Sequence, residues 1–370
     1  MLETYDIGSL PLRVEELAIY DGARKSGSLL SLVGVSDESS KVFEEEVVTA
    51  FTDKLRAGLT VPNYPQFRDM NEMFFELLRG MEKTEAGYVA LRSITAKPGS
   101  SIPEVGVLRE NASRVKDETG VERVRVKACV TGPYTLASFF QGKNAKLFED
   151  LGHSLADIVS RSIFDTRHGD VALVCIDEPV LGFLNDPLLD YGSEGRKALA
   201  GAWEEICVAA TSRGSEASIH LHDTSDDLFW EVEHLGLIQA HIEDPFYSQD
   251  ATSRRLEETG KRLKASIFHN QFDTLIEYNL KARGVKDDLQ QRVGDTWTQI
   301  KKGETDPMVF LEDIEVGLKR LRKVVERFGV ENVPMVGPEC GLSGWPSYDT
   351  AMECLRRTAE AAKLFDIKSL

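Results

Sequence analysis

Short apolar runs alternate with longer segments of helical periodicity along most of the chain. Apolar runs typical of buried strands begin near residues 4, 59, 124, 171, 217, 237, 263 and 333. Helical patterns lie at about 143–166, 192–213, 225–235, 250–260, 310–328 and 346–364. Eight strands separated by helices predict an α/β fold, a (β/α)8 TIM barrel that spans residues 1–370 as a single domain.

Two stretches depart from the alternation and are expected to be insertions, at residues 80–120 and 275–310. A helix-rich region is expected between the first strand and about Gly58. There the apolar positions Val47, Val48, Phe51 and Leu55 recur at helical spacing.

Composition and charge disfavour several classes of protein. The 370 residues include 44 Lys and Arg against 61 Asp and Glu, a formal net charge of −17, which disfavours binding to nucleic acid or to an anionic membrane surface. The chain contains neither a run of about 18 apolar residues nor an N-terminal signal-peptide pattern. Five widely spaced cysteines argue against a disulfide framework. These features together predict a cytoplasmic protein.

Polar residues concentrate where the predicted strands end. The carboxyl ends of barrel strands converge on one face, so residues that are distant in sequence become neighbours there. The candidates for chemistry at this face are Ser9, Gln66, Asp177, Glu178, His220, His222, Glu243, His269 and Cys340.

A zinc site is one interpretation of this set. His222, Glu243 and Cys340 offer a nitrogen, an oxygen and a sulfur ligand, a combination that zinc accepts. His220 is a further candidate, because residues two apart on a strand point to the same face. The alternative is that the two histidines only form hydrogen bonds inside the barrel.

The remaining polar candidates suggest substrate binding and proton transfer. Asp177 and Glu178 are adjacent on a strand, so at most one of them faces the pocket, where it would bind a cationic group. His269 would exchange a proton with the substrate, since its reference pKa lies near neutrality. Strand capping by the carboxylates and a structural role for His269 remain the alternatives.

Six short motifs occur in order at these strand ends. They are Ile7-Gly8-Ser9-Leu10-Pro11, Thr131-Gly132-Pro133-Tyr134-Thr135-Leu136, Ile176-Asp177-Glu178-Pro179, Ile219-His220-Leu221-His222, Ala240-His241-Ile242-Glu243 and Glu339-Cys340-Gly341-Leu342. In this series the chain resembles the catalytic barrel of cobalamin-independent methionine synthase, itself related to uroporphyrinogen decarboxylase. The resemblance covers essentially the whole chain.

The resemblance implies that zinc activates a small thiol, whose thiolate then takes up a methyl group. It implies zinc ligation by His222, Glu243 and Cys340, contact of Ser9 with a substrate carboxylate, and of Asp177 with a substrate amine. His269 matches the family's proton shuttle. Homocysteine is the expected thiol.

Two positions depart from the family pattern. The family's second zinc-binding cysteine is replaced by Thr224, so either His220 would compensate or the site would hold only three protein ligands. The family's amine-binding glutamate in the second strand has Gln66 in its place. The short chain resembles core methionine synthases, which take methyl from a corrinoid protein.

Two alternatives follow from the same residues. One is an alkyltransferase acting on coenzyme M, in the manner of epoxyalkane:coenzyme M transferase, with Arg68 as the residue that binds the sulfonate. The other is a zinc-free barrel of decarboxylase or ligand-binding type, which the threonine at position 224 favours.

Overall fold

The computed structural model describes residues 2–26, 37–183 and 185–365. The strands assigned within these ranges are β1 (Glu3–Thr4), β2 (Leu78–Thr84), β3 (Gly87–Ala96), β4 (Val124–Thr131), β5 (Gly169–Glu178), β6 (Glu216–Leu221), β7 (Leu237–Gln239), β8 (Arg262–Phe268) and β9 (Met335–Pro338). Seven of them form one curled sheet in the order β1-β9-β8-β7-β6-β5-β4, and every neighbouring pair is parallel.

The segment 60–66 closes this sheet into a ring. The amide of Val61 donates to the carbonyl of Thr4 in β1 at 2.9 Å, and the amide of Tyr64 donates to the carbonyl of Lys127 in β4 at 3.0 Å. The segment therefore pairs with both edge strands and takes the second strand position. The predicted (β/α)8 barrel is confirmed, with an irregular segment where the sequence predicted a regular strand near residue 59.

Side-chain packing supports the same closure. Val61, Leu173, Leu237 and Met335 belong to one buried cluster, together with Tyr5. The first four come from the second, fourth, sixth and eighth positions around the ring, and a layer built from alternate strands is how TIM barrels fill their interior.

A buried ion pair holds the closing segment in place. The Lys54 ammonium lies 2.6 Å from Asp6 Oδ2, and the two side chains are 0% and 3% exposed. Lys54 also donates to the carbonyls of Gly8 and Asn63, both at 3.1 Å. The other Asp6 oxygen accepts the Asn63 amide at 2.7 Å. The pair thus joins the first strand, the closing segment and the helix that carries Lys54.

Helices surround the sheet. The α-helices of the described ranges are α1 (Glu16–Ser26), α2 (Glu38–Arg56), α3 (Glu72–Phe75), α4 (Pro103–Thr119), α5 (Pro133–Ala137), α6 (Ala145–Ser162), α7 (Glu194–Thr211), α8 (Asp250–Thr259), α9 (Phe272–Ala282), α10 (Leu289–Lys301), α11 (Ile314–Phe328) and α12 (Tyr348–Leu364). Their starts follow local rules: Asn144 caps α6 through the Leu147 amide, and Ser347 and Thr350 form a capping box on α12.

The structure changes two of the predicted elements. Of the expected insertion at 80–120, β2 and β3 form an antiparallel hairpin, whereas α4 packs on α2 and β4 as an ordinary barrel helix. The helix predicted at 225–235 is only a 3₁₀ turn, Leu228–Glu231, because the Asp226 carboxylate binds the Leu228 amide and Arg196. Residues 27–36 of the predicted helix-rich region lie outside the described residues.

The predicted insertion at 275–310 contains most of α9 and all of α10. Among the described residues, no helix has the length and apolar character needed to cross a membrane.

The ion pair of Asp6 and Lys54 gives a first prediction. Lys54→Met should lower the free energy of unfolding by about 3–5 kcal/mol, because it leaves the Asp6 carboxylate buried without a counter-charge. Urea denaturation followed by circular dichroism measures the loss. Lys41→Met is the matched control, since Lys41 is an exposed lysine on the same helix and should cost little. Equal stability of the two variants would contradict a clamping role for Lys54.

Candidate active site

A cavity of about 760 Å³ opens at the carboxyl ends of the barrel strands. Five of the residues proposed from the sequence line it, namely Ser9, Gln66, Arg68, Asp177 and Cys340. They come from four separate strand ends, so barrel closure is what brings them together.

Three histidines and a cysteine form a cluster beside this cavity. The His/Cys cluster consists of His220, His222, His241 and Cys340, with one ligand atom from each lying within 4.8 Å of the others. Cys340 Sγ is 3.3 Å from His222 Nε2. His220 lies in β6 and His222 just after it, so the two-residue period of the strand turns both rings to one side.

The imidazoles of the cluster are neutral. Burial, followed by the neighbouring histidines, lowers the pKa of His220 well below its ordinary value. Burial and His241 lower the pKa of His222 to about 3, and burial and His269 lower that of His241 to about 4. Neutral imidazole is the form that binds metal ions.

Asp177 is the buried carboxylate of the cavity. Its Oδ1 has no hydrogen-bond partner, and its Oδ2 lies 3.8 Å from the Cys129 thiol. Burial, and then the negative charge of Cys175, raise the pKa of Asp177 to about 8. A cationic group in the cavity would lower that pKa and satisfy the free oxygen.

Glu178 points away from the cavity and has a structural role instead of the predicted substrate contact. Its oxygens accept the backbone amides of Tyr134 at 3.0 Å and Thr135 at 2.7 Å, and the indole N–H of Trp203 at 2.8 Å. Glu178 therefore caps the start of α5, because adjacent strand residues face opposite sides.

Arg68 lines the cavity, but its charge is already neutralised. Its Nε and Nη2 donate to the two oxygens of Glu104, both at 2.9 Å, and its Nη1 donates to Glu76 at 3.1 Å. The side chain is 1% exposed. These two carboxylates replace the sulfonate that the coenzyme M alternative would place on Arg68.

The His269 ring contacts a carboxylate and a guanidinium group. Its Nδ1 lies 3.1 Å from both Glu312 Oε1 and Arg320 Nη2. Burial opposes ionisation of Glu312, but hydrogen bonds from His269 and Arg320 prevail and lower its pKa to about 2. The carboxylate thus fixes the orientation of the ring through Nδ1.

Glu339 belongs to the motif that contains Cys340, but the sequence predicted no role for its side chain. Its carboxylate accepts the amides of Ile242 at 3.2 Å and Asn270 at 3.0 Å. It therefore connects the loops after β7, β8 and β9, which carry His241, His269 and Cys340. Burial raises its pKa, although His269 and the two amides oppose this.

The far side of the cavity comes from the insertion and from the chain after β8. Asn270, Phe272, Asp273 and Trp297 line it. The Trp297 indole N–H donates to Asp273 Oδ1 at 2.5 Å, which ties α10 to the cavity wall. Sequence reasoning missed Trp297 because it lies on α10, which belongs to no barrel repeat.

Sequence comparison identifies the family of the chain. The profile described as the catalytic domain of cobalamin-independent synthase matches residues 2–257. The chain belongs to the cobalamin-independent methionine synthase family.

Individual relatives of this family are distant. The methionine synthase of Saccharolobus solfataricus is 24% identical over 189 residues, which cover 49% of this chain and 54% of the relative. The 5-methyltetrahydropteroyltriglutamate–homocysteine methyltransferase of Streptomyces griseus is 24% identical over 371 residues, 96% of this chain and 41% of the relative. The alignments thus span about half the length of these curated relatives.

A solved structure shows the same fold. The B12-independent methionine synthase of Shewanella sp. W3-18-1 matches with a TM-score of 0.61, covering 98% of both chains at 14% identity.

Two of the ligand positions implied by the family pattern differ in this structure. Glu243 is exposed and does not belong to the cluster, in which His241 takes its place. The cause is that β7 ends at Gln239 and the chain then turns, so the alternation of a strand no longer relates residues 241 and 243. The Thr224 hydroxyl donates to Asp244 Oδ1 at 2.5 Å.

The cluster nevertheless fits a zinc ion. Two ligands of one tetrahedral zinc, at bond lengths of about 2.0–2.3 Å, lie roughly 3.5 Å apart, close to the 3.3 Å between Cys340 Sγ and His222 Nε2. Burial raises the pKa of Cys340 to about 12, with Asp177 as the next cause. A metal ion is the kind of partner that would make this thiol a thiolate.

A second group of possible ligands, Glu204, Glu233 and His234, is a weaker candidate. Two of its members are exposed, and the His234 ring already pairs with Glu204.

Asp177 should make stability depend on pH. The unfolded chain loses this proton near pH 4, whereas the folded chain keeps it to about pH 8. Deprotonation of the unfolded state therefore favours unfolding as the pH rises, and the contribution of Asp177 to stability is lost between pH 4 and 8.

Asp177→Asn should gain stability relative to wild type across this window, by up to about 1.4 kcal/mol per pH unit. Urea denaturation at pH 5, 6, 7 and 8 measures the difference. Asp157→Asn, at a helix-surface carboxylate, is the control. A constant difference between Asp177→Asn and wild type would reject the raised pKa.

Proposed function

We propose that this protein transfers a methyl group to the sulfur of homocysteine, with a zinc ion at the His/Cys cluster. The observation that carries the proposal is the shared cavity of Cys340, a member of the cluster, and Asp177, a buried carboxylate with one unpaired oxygen. The cavity thus offers a site for a thiol close to a site for an ammonium group.

The His/Cys cluster, Asp177 and His269 would have separate roles in this reaction. A zinc ion bound by the cluster would lower the pKa of a thiol that reaches it. Asp177 would bind the substrate ammonium, and that ion pair would keep the carboxylate charged. His269, oriented by Glu312, would carry away the thiol proton.

Ser9 would recognise the substrate carboxylate. Its Oγ lies on the cavity wall, and the Ser343 amide points to it at 3.4 Å. Its backbone carbonyl accepts the Leu342 amide at 3.0 Å, which fixes the turn that follows Cys340. Gln66, the neighbour of Ser9 in a parallel bridge, would add an uncharged polar contact.

The charge of the cavity favours an amino acid over a sulfonate. Glu16, Asp69, Asp177 and Asp273 line it, and Arg68, which Glu104 and Glu76 neutralise, is its one basic residue in the described chain. An acidic wall attracts an ammonium group and repels the sulfonate of coenzyme M. Homocysteine is therefore preferred to the coenzyme M alternative.

A methyltetrahydropteroylglutamate is the methyl donor that the comparisons favour. The Streptomyces griseus relative and one from Rhodococcus jostii are named for the triglutamate form of that donor. Phe272 and Trp297 give the cavity aromatic surface of the kind on which a flat pteridine stacks. The corrinoid protein expected from the chain length finds no support in these comparisons.

The donor assignment is tested by measuring methionine formation from homocysteine. We expect product with 5-methyltetrahydropteroyltriglutamate and none with methylcobalamin. Product with methylcobalamin alone would restore the corrinoid donor. Absence of product with either donor, in protein that contains zinc, would contradict the proposed reaction. Turnover in zinc-free protein would contradict the proposed role of the zinc ion.

The role of Asp177 is tested by its amide variant. Asp177→Asn should raise the KM for homocysteine by roughly 10- to 100-fold, because a charge-assisted hydrogen bond contributes about 1.5–3 kcal/mol. 3-Mercaptopropionate, a thiol without the ammonium group, serves as the comparison substrate and should react equally poorly with both proteins. A similar KM increase for both thiols would reject amine binding by Asp177.

A further inference from the structure

We infer that the metal ion is bound by three imidazoles and one thiolate, from His220, His222, His241 and Cys340, and that neither Glu243 nor Thr224 is a ligand. The inference rests on the proposed function only in placing a metal ion at this cluster. It adds a ligand set with a single negative charge, and it assigns a metal-binding role to two histidines.

His220 provides the strongest evidence. Its side chain is 0% exposed, and neither ring nitrogen has a hydrogen-bond partner. A neutral imidazole carries one N–H and one lone pair, so complete burial without partners is costly. Ligation of a metal ion would satisfy the lone pair, and the ring is already within the cluster distance of 4.8 Å.

His241 also has a buried ring nitrogen without a hydrogen-bond partner. Its Nε2 is buried without a partner, and its ring centre lies 4.2 Å from that of His222. The adjacent Ile242 amide is held by Glu339, the residue before Cys340. Glu339 thereby positions His241 and Cys340 relative to each other, without being a ligand itself.

Of the two alternative ligands, Thr224 already has a hydrogen-bond partner and Glu243 is exposed. The Thr224 hydroxyl and amide both donate to the carboxylate of Asp244, at 2.5 and 3.1 Å. Glu243 is exposed, two residues beyond His241 in a turn. Moving Glu243 onto the cluster would require the turn to rearrange and His241 to leave.

The charge of the resulting centre has a chemical consequence. Three neutral imidazoles and one thiolate leave a divalent ion with a net charge of about +1. The ammonium groups of Lys264 and Lys127 act on the His220 ring from the same region of the barrel. A small monoanion would neutralise such a centre by entering as a fifth ligand, so the centre should accept a thiolate substrate and also bind cyanide.

X-ray absorption at the zinc edge tests the ligand set without any substitution. Protein purified without added metal, or reconstituted with zinc alone, should show one sulfur and three imidazole nitrogens. Cobalt(II) in place of zinc should give a thiolate charge-transfer band that disappears in Cys340→Ser. Two sulfur ligands, a carboxylate ligand or no bound metal would overturn the inference.

Variants assign the individual ligands. His220→Asn and His241→Asn should each weaken zinc binding by at least about 100-fold, since loss of even an outer-shell partner costs 10- to 100-fold. Glu243→Gln should leave zinc affinity unchanged. His153→Asn, at an exposed histidine, is the matched control. Competition with a chromogenic chelator measures affinity, and circular dichroism checks folding.

The result distinguishes this inference from the proposed function. Loss of zinc affinity in Glu243→Gln, or full affinity in His220→Asn, would overturn the ligand set even if methionine is formed. Conversely, the ligand set stands and the proposed function fails if homocysteine adds no second sulfur to the absorption spectrum and no methionine is produced. Cyanide should compete with homocysteine for the zinc ion if both inferences hold.

Discussion

The buried ion pair of Asp6 and Lys54 is the constraint on which the site depends. The segment 60–66 lacks a regular strand, and yet it must join β1 to β4 to complete the barrel. Lys54 reaches from α2 to bind Asp6 and two carbonyls of the adjoining chain. Removal of either charge would leave the other buried without compensation, so the closure depends on both partners. Without this closure the strand ends would not surround one cavity.

At the carboxyl ends of the strands, the Glu339 carboxylate fixes the positions of the candidate site residues. Glu339 binds the amides of two neighbouring loops while its own loop presents Cys340. His241 and His269 therefore keep fixed positions relative to the thiol, although three separate strands supply them. Backbone amides bound by a buried carboxylate hold loops more firmly than side-chain contacts on an exposed surface do, because water does not compete for them.

Much of the site was predictable because strand ends of a parallel barrel converge. This rule placed Ser9, Asp177 and Cys340 in one cavity and His220 beside His222. The rule does not predict which partner a polar side chain has. Arg68 was proposed to bind a substrate sulfonate, but it pairs with Glu104, 36 residues away. No local pattern distinguishes such a buried pair from a free cation, since both have an arginine after a strand.

The sequence by itself determined the barrel, the family and the residues at the strand ends, because hydrophobic periodicity and short motifs are local properties of the chain. Only the tertiary structure decided which residues meet. It placed His241 in the cluster in place of Glu243, since the exact end of β7 sets the direction of each side chain. It also left His220 buried without a partner, a condition that depends on every strand around it.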